Sequence, residues 1–431
     1  MGPIPPQWVL VTGYFAAGAF VGQWLSVAIE RFPMHDRLLN QLTSLRGASS
    51  TCTYCGHPGS WWSRLPIVSR MFGEGRCQRC RRKKPGRPFV VELVTAMLFA
   101  VIAWHELPLS LHAARAGEGL YSAGGPPGPE LITDLWHPFL WVHVRCLLHL
   151  AMICGLVVAT FIDLEHRIIP DGSTVPIMLL AIAVSFTVGQ VFIVPLWFQD
   201  TSVVRTLGPL LPSTLQPLIF EWNVIPFAMQ HPHWHGLLVS LAGLAAGAGS
   251  VWIVRLIGFW IVKQEAMGFG DVVLMAMIGS VIGWQPVLTV FFIAPMLAVF
   301  AAGTMWLVRR DREIPYGPWL SLATIILLVG WKPLWPYAKR IFDMGPLLFL
   351  MGLGMTLSLA AMLQVVQLLK RLLGISADAQ ASPDVWTSAD HLSYYNSPAS
   401  RDICEGLARD VWPGVHSAQG KSQYRRWRDG G

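Results

Sequence analysis

Apolar residues gather along this chain in long unbroken runs, not in the alternating pattern of a strand or the one-faced stripe of a soluble helix. Runs at 8–29, 88–104, 139–162, 176–196, 236–260, 286–308 and 347–372 reach or approach the roughly 20 residues that a helix needs to cross a hydrocarbon core. Shorter runs lie at 272–284 and 317–331. The expected fold is therefore all-α, a polytopic transmembrane helical bundle of about eight or nine spans. The first run has no basic segment before it and no small-residue cleavage site after it, so it reads as a retained span, not a removed leader. Because most helices are apolar on every face, the pattern predicts the spans but not which of them pack together.

Composition narrows the class. With 53% hydrophobic and 13% charged residues in 431, the chain is too apolar for a soluble protein of its size. Lys and Arg set the orientation. Residues 30–87 carry a dense set of basic side chains, from Arg31 to Arg87, and few acids, which marks that loop as cytoplasmic. Alternation from there places the N-terminus outside and the C-terminal tail inside. The net charge of +7 follows from this topology, so the expected surroundings are a lipid bilayer and no nucleic acid is called for. The chain divides into a first span at 1–29, the basic loop at 30–87, a helical bundle at 88–372 and a tail at 373–431 without hydrophobic periodicity. Segments 105–138 and 197–235 read as outer loops, rich in Pro, Gly and Trp, and tryptophan suits the headgroup zone.

The basic loop holds Cys52, Cys55, Cys77 and Cys80. Two C-x-x-C pairs separated by a loop can close a tetrahedral site around Zn2+. Nearby Arg76, Arg79, Arg81 and Arg82 favour thiolates and offset their charge. In a cytoplasmic loop disulfides are the weaker reading. A closed four-cysteine site has no open coordination position, so a small zinc-ribbon-like unit with structural zinc is expected. Cys146 and Cys154, inside one apolar run, read as packing residues.

Acids at the edges of spans need a reason, because charge is expensive in a bilayer. Asp163 ends a span, at the carbonyl end of its helix, where a negative charge is disfavoured, so capping is not its purpose. Asp171 follows Pro170 and precedes the next span, where the N-cap reading is the stronger one. Asp271, in "GFGDVVLMAMIG", begins a helix after two glycines, and capping and functional readings stand level there when it is taken alone. The topology puts Asp163 and Asp271 at the same membrane edge. Two carboxylates in one low-dielectric site share a proton, the arrangement that activates water against a peptide carbonyl. Gly268 and Gly270 would let the backbone turn sharply and approach an extended substrate.

These residues resemble a known family. Gly268-Phe269-Gly270-Asp271 matches the G-x-G-D motif of intramembrane aspartyl proteases, and "IDLEHRIIPD" is similar to the first-aspartate motif of the type IV prepilin leader peptidases. "GAFVGQWLSVAIERFP", the double C-x-x-C and "EIPYGPWLSLA" resemble further family segments, in the same chain order. The resemblance implies an integral membrane endopeptidase of the bacterial inner membrane that removes the short basic leader of prepilins and pseudopilins on the cytoplasmic side. Many members also N-methylate the new terminus with S-adenosylmethionine. Carried over, Asp163 and Asp271 would be the catalytic pair and Cys52, Cys55, Cys77 and Cys80 the zinc ligands. The chain departs from the family at Val273, where many members have Lys, and at Ser26, where Asn is common. The long outer loops, a ninth span and the tail are additions to the usual eight-span pattern.

Two other readings use the same acids. In an ion-coupled transporter, Asp163 and Asp271 would bind protons or cations near the bilayer midplane, beside broken spans. A catalytically silent scaffold would keep its function when either acid is neutralised. "HPHWH", with His231, His233 and His235, reads as part of an interfacial loop and not as a metal site. The basic "KSQYRRWRDGG" at the end of the tail suits contact with anionic lipid.

Overall fold

The computed structural model describes residues 7–35, 37–45, 79–80, 86–107, 138–189, 191–197, 205–206, 209, 212, 224–262, 267–309, 315–345 and 347–373. Regular structure among the described residues is helical. Helix α1 (Gln7–Arg31) leads through a 3-10 turn, Phe32–Met34, to the short α2 (Leu38–Ser44). There follow α3 (Arg87–Glu106), α4 (Pro138–His166), α5 (Asp171–Val188), α6 (Ile225–Gln230), α7 (Pro232–Val262) and α8 (Phe269–Ile282). The bundle closes with α9 (Trp284–Arg309), α10 (Gly317–Val329), α11 (Trp331–Phe342) and α12 (Leu347–Leu372). Among the described residues seven helices, α1, α3, α4, α5, α7, α9 and α12, are long and apolar enough to cross a bilayer, and the number is up to eight if the bent pair α10 and α11 is one span. The chain is thus a polytopic helical bundle, as the apolar runs predict.

Helix α4 is the post around which the bundle assembles: it is the most buried of the candidate spans and packs against α1, α3, α5, α8 and α10. Helix α8 is the innermost element. Its 14 residues reach only about 21 Å at the usual rise, short of a hydrocarbon core of about 30 Å. It tolerates that length because protein encloses it: α7, α5, α9, α4 and α10 all touch it, and Leu274, Met275, Met277, Ile278 and Ile282 are fully buried. Gly243 of α7 faces Gly279 of α8 so closely that a Cβ on either would overlap the other's carbonyl oxygen. Small residues at a helix crossing allow this contact of backbones. The "GAFVG" segment has the same cause. A Cβ at Gly18 would come within 2.9 Å of the Ala96 Cα, and one at Gly22 within 2.7 Å of the Glu92 Cα, on α3.

Three boundaries differ from the pattern of apolar runs. Helix α5 starts at Asp171, not near 176, and so carries Pro176 inside it, at its sixth residue, where the ring gives up the bond to the Gly172 carbonyl. It stops at Gly189, in the left-handed region at φ 80°, so the apolar stretch 191–197 is irregular, though Val191, Ile193 and Val194 are buried. The run at 317–331 ends at Val329, after which the chain bends by 101°. The next turns carry Lys332, Lys339 and Arg340 on one side and Trp331, Trp335 and Phe342, all buried, on the other. A helix with that division lies along an interface instead of crossing it. Its aromatic face stacks on itself, with Trp331 and Trp335 ring centres 4.6 Å apart. In "HPHWH", His231 caps the end of α6 and the other four residues form the first turn of α7, not a loop, since Pro232 opens that helix, a position proline favours.

Candidate active site

Asp163 stands in the last turn of α4. The helix closes on Arg167, the one non-glycine residue with positive φ (56°) among the described residues, whose N–H donates to the Asp163 carbonyl at 3.0 Å. Pro170 then ends the turn as the N-cap of α5, with no side-chain cap bond. The N-cap expectation for Asp171 is therefore corrected: it is the first helical residue, and it is exposed. Proline before it fixes the chain in an extended conformation and shifts the cap by one. The α5 amides are served by other groups. Gln41 Oε1 accepts the Gly172 N–H at 2.6 Å, and the Pro170 carbonyl accepts from both Ser173 N–H and Ser173 Oγ.

The Asp163 side chain is 6% exposed. Its Oδ2 accepts the Gly317 N–H at 3.1 Å, a bond possible only because residue 317 lacks a side chain: a Cβ there would lie 2.6 Å from the same oxygen. Asp271 is the third residue of α8 and is 7% exposed. Gly268, not Asp271, is the N-cap, and it makes no side-chain cap bond. From the third position of the helix the Asp271 carboxyl takes a backbone hydrogen bond at Gly268, the reach-back half of a capping box, so it serves the helix end, where the dipole also suits it, as well as facing Asp163.

Helices α4 and α8 touch, Ile169 lies against both Gly270 beside Asp271 and the Gly317 that bonds Asp163, and the charge of Asp271 acts on the Asp163 carboxyl. Both sit at helix ends, at one end of the bundle, where a midplane ion site would need them halfway along. Tyr316, in the turn before α10, completes the group. Burial, and after it the charge of Asp271, hold its phenol above the ordinary range, so it stays a hydrogen-bond donor at neutral pH.

The glycines of the G-x-G-D segment do different things. Neither is left-handed, so conformational freedom is not their reason. A Cβ at Gly270 would come within 2.9 Å of the Ile169 Cβ, whereas one at Gly268 would meet only Asp271 Oδ2, at 3.8 Å. Ile169 also reaches Gly317, with its Cδ1 3.2 Å from the Cβ position there. One side chain from the α4–α5 turn therefore lies against both glycines that flank the acids. Sequence reasoning did not single out Gly317, Ile169, Tyr316 or Gln41. The first three lie inside the quoted "HRIIPD" and "EIPYGP" segments, but Gln41 had no signal, because its role depends on a fold contact.

Glu165 pairs with Arg87 at 2.6 Å and lies 3.8 Å from His166, anchoring the end of α4 to the start of α3. Of the four predicted metal ligands, Cys52, Cys55 and Cys77 lie outside the described residues, and Cys80 sits in a short turn. Cys146 is buried inside α4, where it packs among apolar neighbours. His233 Nδ1 lies 2.9 Å from the Phe186 carbonyl, and His235 Nε2 accepts the Leu196 N–H at 3.1 Å. These histidines tie α7 to α5 and to the irregular segment beyond it.

Comparison with known proteins agrees with this geometry. Residues 16–106 match the bacterial peptidase A24 N-terminal domain, and residues 210–303 match the type IV leader peptidase family. Asp271 falls within the second match and Asp163 between the two. The chain is 25% identical over 346 residues to a prepilin leader peptidase/N-methyltransferase of Aeromonas hydrophila, covering 75% of this chain and 91% of that protein. It is 25% identical over 351 residues to the protein of that name from Pseudomonas aeruginosa, with 75% and 91% covered. The Myxococcus xanthus counterpart is 25% identical over 301 residues, with 70% and 64% covered. No solved structure matches the chain significantly.

Proposed function

The chain belongs to the type IV leader peptidase family, and on that premise we propose that Asp163 and Asp271 make it a membrane-embedded aspartyl endopeptidase. Its substrates are prepilins or pseudopilins, cut between a short basic leader and the apolar helix that follows. The observation that carries the reading is a pair of buried carboxyls, one in the last turn of α4 and one in the first turn of α8, with the charge of the second acting on the first.

The chemistry follows from the pair acting as one unit. One carboxylate takes a proton from water as the oxygen attacks the scissile carbonyl. The other carboxyl gives its proton to the carbonyl oxygen. In the collapse of the tetrahedral adduct, the proton taken from water passes to the leaving amine, and the adduct's hydroxyl returns a proton to the acid, so the pair ends as it began. The Gly317 N–H holds one oxygen of Asp163 in place. Gly268, open on its Cβ side, is the backbone along which the substrate chain runs, while Gly270 sets the depth of α8 against Ile169.

The protein resides in the bacterial inner membrane, with the aspartate end of the bundle on the cytoplasmic side, the N-terminus outside and the tail inside, as the distribution of Lys and Arg requires. Cys52, Cys55, Cys77 and Cys80 hold a structural Zn2+ in the basic loop. The relatives' names include N-methylation, for which S-adenosylmethionine supplies the methyl group. The cleavage chemistry uses neither group.

The test is cleavage, by the purified protein in lipid, of a synthetic peptide with a Lys/Arg-rich leader, Gly at the cut and an apolar helix beyond. Mass spectrometry should find a single cut after the leader. A methyl mass on the mature fragment is expected only when S-adenosylmethionine is added. An intact peptide would reject the endopeptidase reading.

A further inference from the structure

Helix α2 is the start of the cysteine-bearing loop, and it is held at its C-terminal end and at its middle. The Arg31 guanidinium, at the end of α1, donates to the Ser44 carbonyl at the α2 C-terminus. Midway along α2, Gln41 is 3% exposed and both ends of its amide are used: Nε2 donates to the His35 carbonyl at 2.7 Å, and Oε1 accepts the Gly172 N–H at 2.6 Å. Residue 172 has to be glycine for this contact, since a Cβ would stand 2.7 Å from that Oε1. A buried amide with each end satisfied costs free energy if any partner is removed. It therefore fixes a position as well as stabilising it.

What it fixes is the α4–α5 turn. Gly172 follows Ile168, Ile169, Pro170 and Asp171, and proline makes that link stiff. Ile169 is the side chain that lies against Gly270, next to Asp271, and against Gly317, whose N–H holds Asp163. Movement of the turn therefore shifts the wedge between the two strands of backbone that carry and hold the acids.

We propose that Gln41 is a positioning residue of the peptidase: by clamping α2 to the α4–α5 turn, it holds Ile169 against Gly270 and Gly317 and so sets the separation of the Asp163 and Asp271 carboxyls. The basic loop is thereby coupled mechanically to the catalytic pair, and displacement of α2 loosens it. The inference rests on the aspartyl-peptidase reading for its catalytic consequence, but its structural link can be measured without any reaction.

Two variants separate positioning from folding. Gln41→Leu keeps the bulk and loses both hydrogen bonds, whereas Gln41→Glu keeps an oxygen for the Gly172 N–H and loses only the donor to the His35 carbonyl. In lipid, hydrogen exchange is read by mass spectrometry on fragments containing Gly172 and Gly317. Gln41→Leu should speed exchange at both, although Gly317 lies on another helix, and Gln41→Glu, with its bond to Gly172 kept, should restore part of the protection at each. Steady-state cleavage is the second arm. Gln41→Leu should lower kcat by roughly 10- to 100-fold, the cost of misplaced catalytic groups, with KM within about twofold and an altered pH profile. Gln41→Glu should recover part of kcat. Unchanged exchange at Gly317 in Gln41→Leu overturns the proposal, as does a loss of activity that tracks folded fraction with the pH profile intact. A wild type that cuts nothing would instead count against the peptidase reading, and the exchange at Gly317 would still decide the link.

Discussion

At the scale of single residues, the site is built by missing side chains as much as by present ones. Gly317 and Gly268 make the clearest contrast. Adding a methyl group at Gly317 drives it to 2.6 Å from the Asp163 oxygen that the backbone N–H should hold, so Gly317→Ala should lower kcat by about 100-fold or more. At Gly268 the same methyl group meets only Asp271 Oδ2, at an ordinary 3.8 Å. The folded enzyme accommodates Gly268→Ala, and its effect should fall on KM for the peptide, because that face is left for substrate. Kinetics on the two variants side by side would check this, and equal kcat losses would refute the division of roles. The sequence made the two acids legible because a charge at the rim of an apolar run demands an explanation. It did not show why the glycines are there: φ values and the wedge of Ile169 exist only after α4, α8 and α10 come together. Asp171 misled for a local reason, since a proline moved the cap one residue back and an amide from α2 took over part of the capping.

At the scale of helices, the far end of the bundle is fastened by polar groups buried among α1, α3 and α4. Glu106 Oε1 and His149 Nδ1 are 2.6 Å apart with both side chains fully buried. Close by, the Tyr14 hydroxyl is 2.8 Å from His143 Nδ1. Removing one partner of a buried pair strands the other, at a cost of about 3–5 kcal/mol. His149→Ala should therefore destabilise the protein markedly, while the double variant Glu106→Leu with His149→Leu should recover much of the loss. Unfolding in detergent measures both, and an equal or greater loss in the double variant would show that the pair is not the unit. The position of this cluster, at the end opposite the aspartates, makes it a fastener and leaves the acids as the chemistry. Apolar runs found all seven long helices, most of them to within about four residues at each end, with α5 shifted by five residues at its start and eight at its end. They ran past the ends of α5 and α10 because a left-handed glycine and a charged, aromatic face stop a helix without lowering hydropathy.

For the whole molecule, the account joins a bundle that fixes two carboxyls to a basic loop that reaches them through α2. If zinc folds that loop and takes no part in the chemistry, purified protein should carry about one zinc per chain. Cys55→Ser should lose the metal and the loop's resistance to proteolysis while the helical signal of the bundle persists. Zinc absent from the wild type, measured by elemental analysis, would remove the ribbon from the description and leave the aspartate site as described. The spans and the resemblance to the leader peptidases were legible from runs and motifs, whereas the packing order was not, because helices apolar on all sides carry no label for their neighbours.

The central claim is that Asp163 and Asp271 act as one unit, and the most direct measurement is single-turnover cleavage of the leader peptide across pH. It compares wild type, Asp163→Asn, Asp271→Asn and the double variant, each checked for folding. A shared pair gives the wild type a bell-shaped profile whose limbs belong to both acids. Each single variant should be as inactive as the double, the non-additivity of groups working together. A single variant that keeps substantial cleavage, or a double whose loss is the product of two independent losses, would contradict it.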